Sequence, residues 1–207
     1  MEAGLIFQLK QDGTLAWVKQ LDGAPGLLAI GASRVFASIG ELQAFEVNSG
    51  DESWNVHPRV GLTHGVLLAD NAGGVLYLNE RNQLTRFDSN GAETWQRLSR
   101  IGPPGSTAMS FEPNGNLLVA WGYSSRAAPD PAERFFEPTT LVLRLDANGT
   151  YLASAEPDGR FDRHFVLPAA DGRVWFVAEG MCPEDQWRSE SRVYRRDLHI
   201  QRLDLKQ

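Results

Sequence analysis

Two segments hold most of the side chains that could recognise another molecule. GYSSRAAPDPAERFFEP, residues 122–138, carries Tyr123, Arg126, Arg134, Phe135 and Phe136; GMCPEDQWRSESRVYRRD, residues 180–197, carries Trp187, Arg188, Arg192, Tyr194, Arg195 and Arg196. Tyr, Trp and Arg join a large contact area to a polar or charged tip, which is the composition of binding hot spots. Asp130, Glu133, Glu184, Asp185 and Glu190 hold the local charge near balance. The chemistry expected is contact recognition of a protein or carbohydrate partner. The competing reading is that Phe135, Phe136 and Trp187 pin their loops to the structure beneath.

Catalytic chemistry would need a convergent set of titratable groups, and the sequence displays none. His57, His64, His164 and His199 are scattered, without two histidines at ligand spacing, and their places suit strand ends better than metal ligation. Cys182 is the sole cysteine, which excludes an intrachain disulfide and a zinc site built on several thiolates. DSNG (88–91) and DANG (146–149) resemble halves of a calcium loop but lack the further spaced oxygens and the bidentate Glu. Asn148-Gly149-Thr150 matches a glycosylation acceptor, yet its place in a repeated turn accounts for the same residues. We assign no catalytic residue, metal ligand or cofactor.

Binding loops need a scaffold, and the scaffold shows in the turns. Gly13, Gly50, Gly91 and Gly149 close related phrases, QDGTLAW, AFEVNSGDESW, DSNGAETW and LDANGTYLA, three of which end in Trp17, Trp54 and Trp95. A second phrase, ASRVFAS, AGGVLYL, NGNLLVA and DGRVWFV, places turn residues before a short alternating run. Together they divide the chain into four-strand units, GLLAI–RVFAS–LQAFEV–SWNV in one and GVLLA–VLYLN–LTRF–TWQRL in the next. Repeating four-stranded units of about 40 residues indicate a β-propeller. A β-sandwich is the competing architecture. Each Trp opens the fourth strand of its unit, where a flat ring can cover the gap to the neighbouring unit. Trp17, Trp54 and Trp95 are therefore expected to be structural, with Gly13, Gly50, Gly91 and Gly149 as turn residues.

AFEVNSGDESW resembles the tryptophan-docking repeat of pyrroloquinoline-quinone-type propellers: Ala44, Glu46, Ser49, Gly50, Glu52 and Trp54 fill its places. RLDANGTYLAS, residues 144–154, resembles repeats of bacterial secreted and surface propellers. In the quinone-dependent dehydrogenases of that family the resemblance would imply an axial cofactor pocket, a calcium ion and often an adjacent cysteine pair. This chain lacks the pair and a convincing set of calcium carboxylates. It is more similar to the non-enzymatic branch, which implies a scaffolding or binding role and a periplasmic, secreted or cell-surface setting. A propeller enzyme, quinone-dependent oxidoreductase or hydrolase or lyase, is the rival, and a structural segment completing a larger propeller is a third reading.

The expected layout is a partial unit at 4–20, full units at 26–57, 64–98 and 107–154, and a partial unit at 164–207. Open edges at either end invite self-association or completion by another chain. A piece of a larger propeller is expected in preference to a closed small ring. Spacing locates the long loops: 15 residues separate Val35 from Gly50 and 16 separate Val75 from Gly91, but 32 separate Leu117 from Gly149. Both inserts join second to third strands, which sends them to one face. A net charge of −6 and a pI near 5.2 argue against nucleic acid, and no segment approaches the roughly 18 apolar residues of a membrane span.

Overall fold

The computed structural model describes residues 4–23, 26–57, 65–79, 83–98, 104–125, 137–157, 161–181 and 196–205. These residues form seventeen strands and no helix. Within each of five sheets, which follow one another in chain order, every strand pairs antiparallel with its sequence neighbours. Sheet 1 is β1 (Gly4–Leu9) with β2 (Leu15–Leu21). Sheet 2 is β3 (Leu27–Ile30), β4 (Arg34–Ser38), β5 (Leu42–Glu46) and β6 (Glu52–Val56). Sheet 3 is β7 (Gly65–Ala69), β8 (Val75–Asn79), β9 (Gln83–Phe87) and β10 (Glu93–Leu98). Sheet 4 is β11 (Pro104–Phe111), β12 (Leu117–Ser125), β13 (Glu137–Leu145) and β14 (Tyr151–Ala155). Sheet 5 is β15 (Phe161–Pro168), β16 (Val174–Met181) and β17 (Arg196–Leu203). The architecture is a β-propeller of up-and-down sheets.

One turn device makes most of the hairpins. In the β9–β10 turn, Asp88 takes hydrogen bonds on Oδ1 from the N–H groups of Asn90 and Ala92 at 2.8 and 2.9 Å, and Gly91 then swings to φ +78°. Asp146 in the β13–β14 turn binds the N–H groups of Asn148 and Thr150 in the same way, at 2.8 and 2.7 Å. In the β1–β2 turn the Thr14 hydroxyl and N–H both bind Asp12, which holds its carboxyl below the ordinary value of 3.8. The Asp side chain supplies the acceptor that a tight turn otherwise lacks, and the glycine supplies the left-handed conformation.

The chain forms two compact units, residues 1–98 and 99–207. In the first, Ile6 and Leu21 of sheet 1 pack with Ala37 and Phe45 of sheet 2. The opposite face of sheet 2, with Phe36, Leu42 and Ala44, packs on Leu67, Val75, Tyr77 and Phe87 of sheet 3. In the second unit, Leu118, Ala120 and Val142 of sheet 4 meet Val166, Val174 and Phe176 of sheet 5. Strand β8, VLYLN, is buried along its whole length, with Val75 and Tyr77 turned to sheet 2. Among the described residues no helix is long and apolar enough to cross a membrane.

Candidate functional site

The second-to-third-strand hairpins differ in reach. β4 and β5 pair over five residues, from Arg34↔Glu46 to Ser38↔Leu42, and β8 and β9 over four. In the second unit β12 and β13 pair over nine, out to Ser125↔Glu137, and β16 and β17 over eight, out to Met181↔Arg196. Because sheets 4 and 5 share one core and the same up-and-down order, both extended hairpins project from the same end of that unit.

The outer parts of the two inserts are therefore paired strand: Gly122–Ser125 and Glu137–Pro138 in one, Gly180–Met181 and Arg196–Asp197 in the other. Tyr123 sits on β12, opposite Pro104 and Thr139. Arg126, Arg134, Phe135, Phe136, Trp187, Arg188, Arg192, Tyr194 and Arg195 lie outside the described residues.

The tryptophans of sheets 1 and 2 occupy matching sites on the sheet that follows each. Trp17 Nε1 donates to the Val47 carbonyl at 2.7 Å, and its ring covers Gly50. Trp54 Nε1 donates to the Ser89 carbonyl at 3.0 Å, and its ring covers Gly91. Trp54 also lies against Phe36 with ring centroids 5.8 Å apart. The flat ring needs a neighbour without a Cβ, and the turn glycine provides it. Trp95 lies on β10, opposite Arg86.

Arginines add a second set of ties that the sequence reading did not identify. Arg34 on β4 donates to Glu46 at 3.2 Å and also to the carbonyls of Gly73, at 3.1 Å, and Ser89 in sheet 3. Arg144 on β13 binds Glu112 Oε1 through Nε at 3.1 Å and Nη2 at 2.7 Å, and reaches the Gly172 carbonyl of sheet 5 at 2.6 Å. Arg86 pairs with Asp70 at 2.8 Å, and Arg202 with Asp171 while lying over Trp175. The recurring signal in the sequence is an Arg on the third strand, at Arg86, Arg144 and Arg202, facing an acid in the preceding first-to-second-strand turn. The Ser53 hydroxyl and the Arg34 guanidinium hold the Glu46 carboxyl below its ordinary value.

His164 lies within β15, buried, with Nε2 3.1 Å from the Ala120 carbonyl and its ring against Phe176; burial pushes its pKa below the ordinary 6.5. His57 is exposed and 3.0 Å from Glu41. The buried Trp121 indole N–H meets no acceptor among the described residues. Among those residues no three His, Cys, Asp or Glu side chains gather as a metal would require.

By sequence, the chain matches no protein-family model and no curated protein. Its fold is similar to solved propellers. BamB from Moraxella catarrhalis aligns with a TM-score of 0.59 at 15% identity, over 86% of this chain and 50% of that one. BBS1N, solved in complex with ARL6DN, aligns with a TM-score of 0.59 at 10% identity, over 84% of this chain and 51% of that one. The Neurospora crassa Pan2 WD40 domain gives 0.56 at 9% identity, over 84% and 56%. The chain thus spans about half the length of these structures. At such identities the likeness speaks to architecture, and the architecture is that of a β-propeller.

Proposed function

We propose that this protein is a non-catalytic propeller module that binds a protein partner through the two long second-to-third-strand loops of sheets 4 and 5, residues 126–136 and 182–195. The reading rests on one observation above all: the hairpins that carry these loops are the two whose pairing runs to nine and eight residues, against five and four in sheets 2 and 3. A long paired hairpin extends a loop from the body of a propeller on a rigid support, and loops on rigid supports are where recognition concentrates. The Arg and aromatic content of both loops supplies anchors for a protein surface. We take the repeat to be of the tryptophan-docking, pyrroloquinoline-quinone-like type, supported by the Trp17 and Trp54 contacts with the following turn. BBS1N in its complex with ARL6DN is a structural precedent for a propeller bound to a protein.

Photocrosslinking from Phe135 and Trp187 in cells, followed by reconstitution with the purified adduct partner, tests the proposal. The paired change Trp187→Ala and Arg188→Ala should weaken that complex about tenfold or more while leaving the melt unchanged. Unaltered affinity, or a large loss of stability in its place, would assign these residues to packing.

A further inference from the structure

Three hairpin turns put Asn directly before a left-handed glycine: Asn90-Gly91-Ala92, Asn114-Gly115-Asn116 and Asn148-Gly149-Thr150. The glycines hold φ at +78°, +86° and +74°, and each donates its N–H to the carbonyl three residues back, at 3.1, 2.9 and 3.0 Å. The three backbones are therefore alike. From the residue after the glycine the turn uses the N–H: Ala92 donates to Asp88 at 2.9 Å, Asn116 to Asn114 at 3.0 Å and Thr150 to Asp146 at 2.7 Å. Ala92 fills this place with no hydroxyl at all. The Thr150 hydroxyl meets no partner among the described residues, whereas the Thr14 hydroxyl in the β1–β2 turn donates to Asp12 at 2.7 Å. The turn accounts for Asn148 and Gly149, and leaves the hydroxyl of Thr150 unexplained.

We propose that Asn148 is an N-glycosylation site, with a lipid-diphosphate-linked oligosaccharide as donor and a membrane oligosaccharyltransferase as the enzyme. Asn148 and Thr150 are both exposed at the tip of the β13–β14 turn, with the buried Gly149 between them. Asp12 stands directly before Gly13 as Asn148 stands before Gly149, and its side chain reaches the hydroxyl two residues on. A turn of this kind thus brings the two groups of an Asn-X-Thr acceptor within reach of each other. In the transfer, Nδ2 of Asn148 forms a bond to the anomeric carbon of the sugar as the bond from that carbon to the diphosphate oxygen breaks. The lipid diphosphate leaves with the electron pair, and Nδ2 gives up one proton to a base of the transferase. Asn90 and Asn114 lack the hydroxyl and stay unmodified. The turn closes the Leu145 end of β13 and the loop at 126–136 leaves its Glu137 end, about 27 Å away along the strand. A bulky glycan at Asn148 therefore leaves that loop clear, and the inference is independent of the loop reading above.

Mass spectrometry of the protein isolated from its own cells tests it. Cleavage after arginine releases residues 145–160, LDANGTYLASAEPDGR, in which Asn148 is the sole asparagine. This peptide should carry an oligosaccharide, and enzymatic release of the glycan in heavy-oxygen water should leave a labelled Asp at 148. In a purified system, the folded protein should accept a short oligosaccharide at Asn148 from a lipid-linked donor and an oligosaccharyltransferase. Thr150→Ala, for which the Ala92 turn is a folded precedent, should abolish the transfer, and Ala92→Thr should create a second acceptor at Asn90. Finding residues 145–160 only unmodified in the native protein overturns the proposal. So does transfer to the unfolded chain alone, which would mean that the turn withholds the asparagine. Modification that survives Thr150→Ala overturns it as well, because the hydroxyl would then have no part in recognition.

Discussion

Trp17 lies so close over Gly50 that a Cβ built on the glycine would sit 2.7 Å from Cδ2 and Cε3 of the indole. Gly50 also holds φ at +72°. Gly50→Ala therefore meets two costs, a left-handed backbone and a collision with a ring held by its own hydrogen bond. The variant should lose about 3 kcal/mol in urea unfolding. Gly40→Ala, at φ +85° with nothing within 4 Å, meets the backbone cost alone and should lose about 1 kcal/mol.

The indole of Trp54 contributes through its ring and through its N–H bond to Ser89. Trp54→Phe keeps much of the ring contact with Phe36 and removes the bond, at a cost of about 1 kcal/mol. Trp54→Ala removes both and should cost about 3 kcal/mol. Chemical denaturation followed by circular dichroism separates the two.

Glu112 is buried and its carboxylate is held by Arg144. Arg144→Met strands that charge and should destabilise by about 3 kcal/mol, whereas Arg144→Met with Glu112→Leu removes both partners and should cost less than the single change. A double-mutant cycle in guanidinium chloride measures the difference.

His164 makes stability fall with acid. Its pKa is depressed in the folded state by burial, so the unfolded chain takes up the proton first. The contribution is fully present above the ordinary value of 6.5 and is lost as pH falls from there toward the lower folded value. Thermal melts between pH 7.5 and 5 should show a decline that His164→Gln makes shallower.

The hairpins were legible because their signals are local. Asp88 to Gly91 and Asp146 to Gly149 announce their turns with residues that bind their own backbone, and the alternating runs beside them follow the two-residue period of a strand. The strand reach of the long hairpins was not legible: Gly122–Ser125 and Glu137–Pro138 have the composition of a loop, and their pairing is imposed by the register that β12 and β13 establish further in. Arg144, Glu112 and Gly172 form one cluster across 60 positions, and no local pattern connects them. The loop tips proposed to bind are the part least determined by the scaffold, since second-to-third-strand connections are free to vary once the hairpin beneath is paired.

The claim on which the fold account rests is that the indoles of Trp17 and Trp54 fasten sheets 1 and 2 to the turn of the sheet that follows each. Its most direct measurement is the cost of Gly50→Ala in two backgrounds, wild type and Trp17→Ala. With the ring removed, the added methyl has nothing to strike, so the cost should fall from about 3 to about 1 kcal/mol. An equal cost in both backgrounds would contradict the account, because Gly50 would then be serving its own turn and not the ring above it.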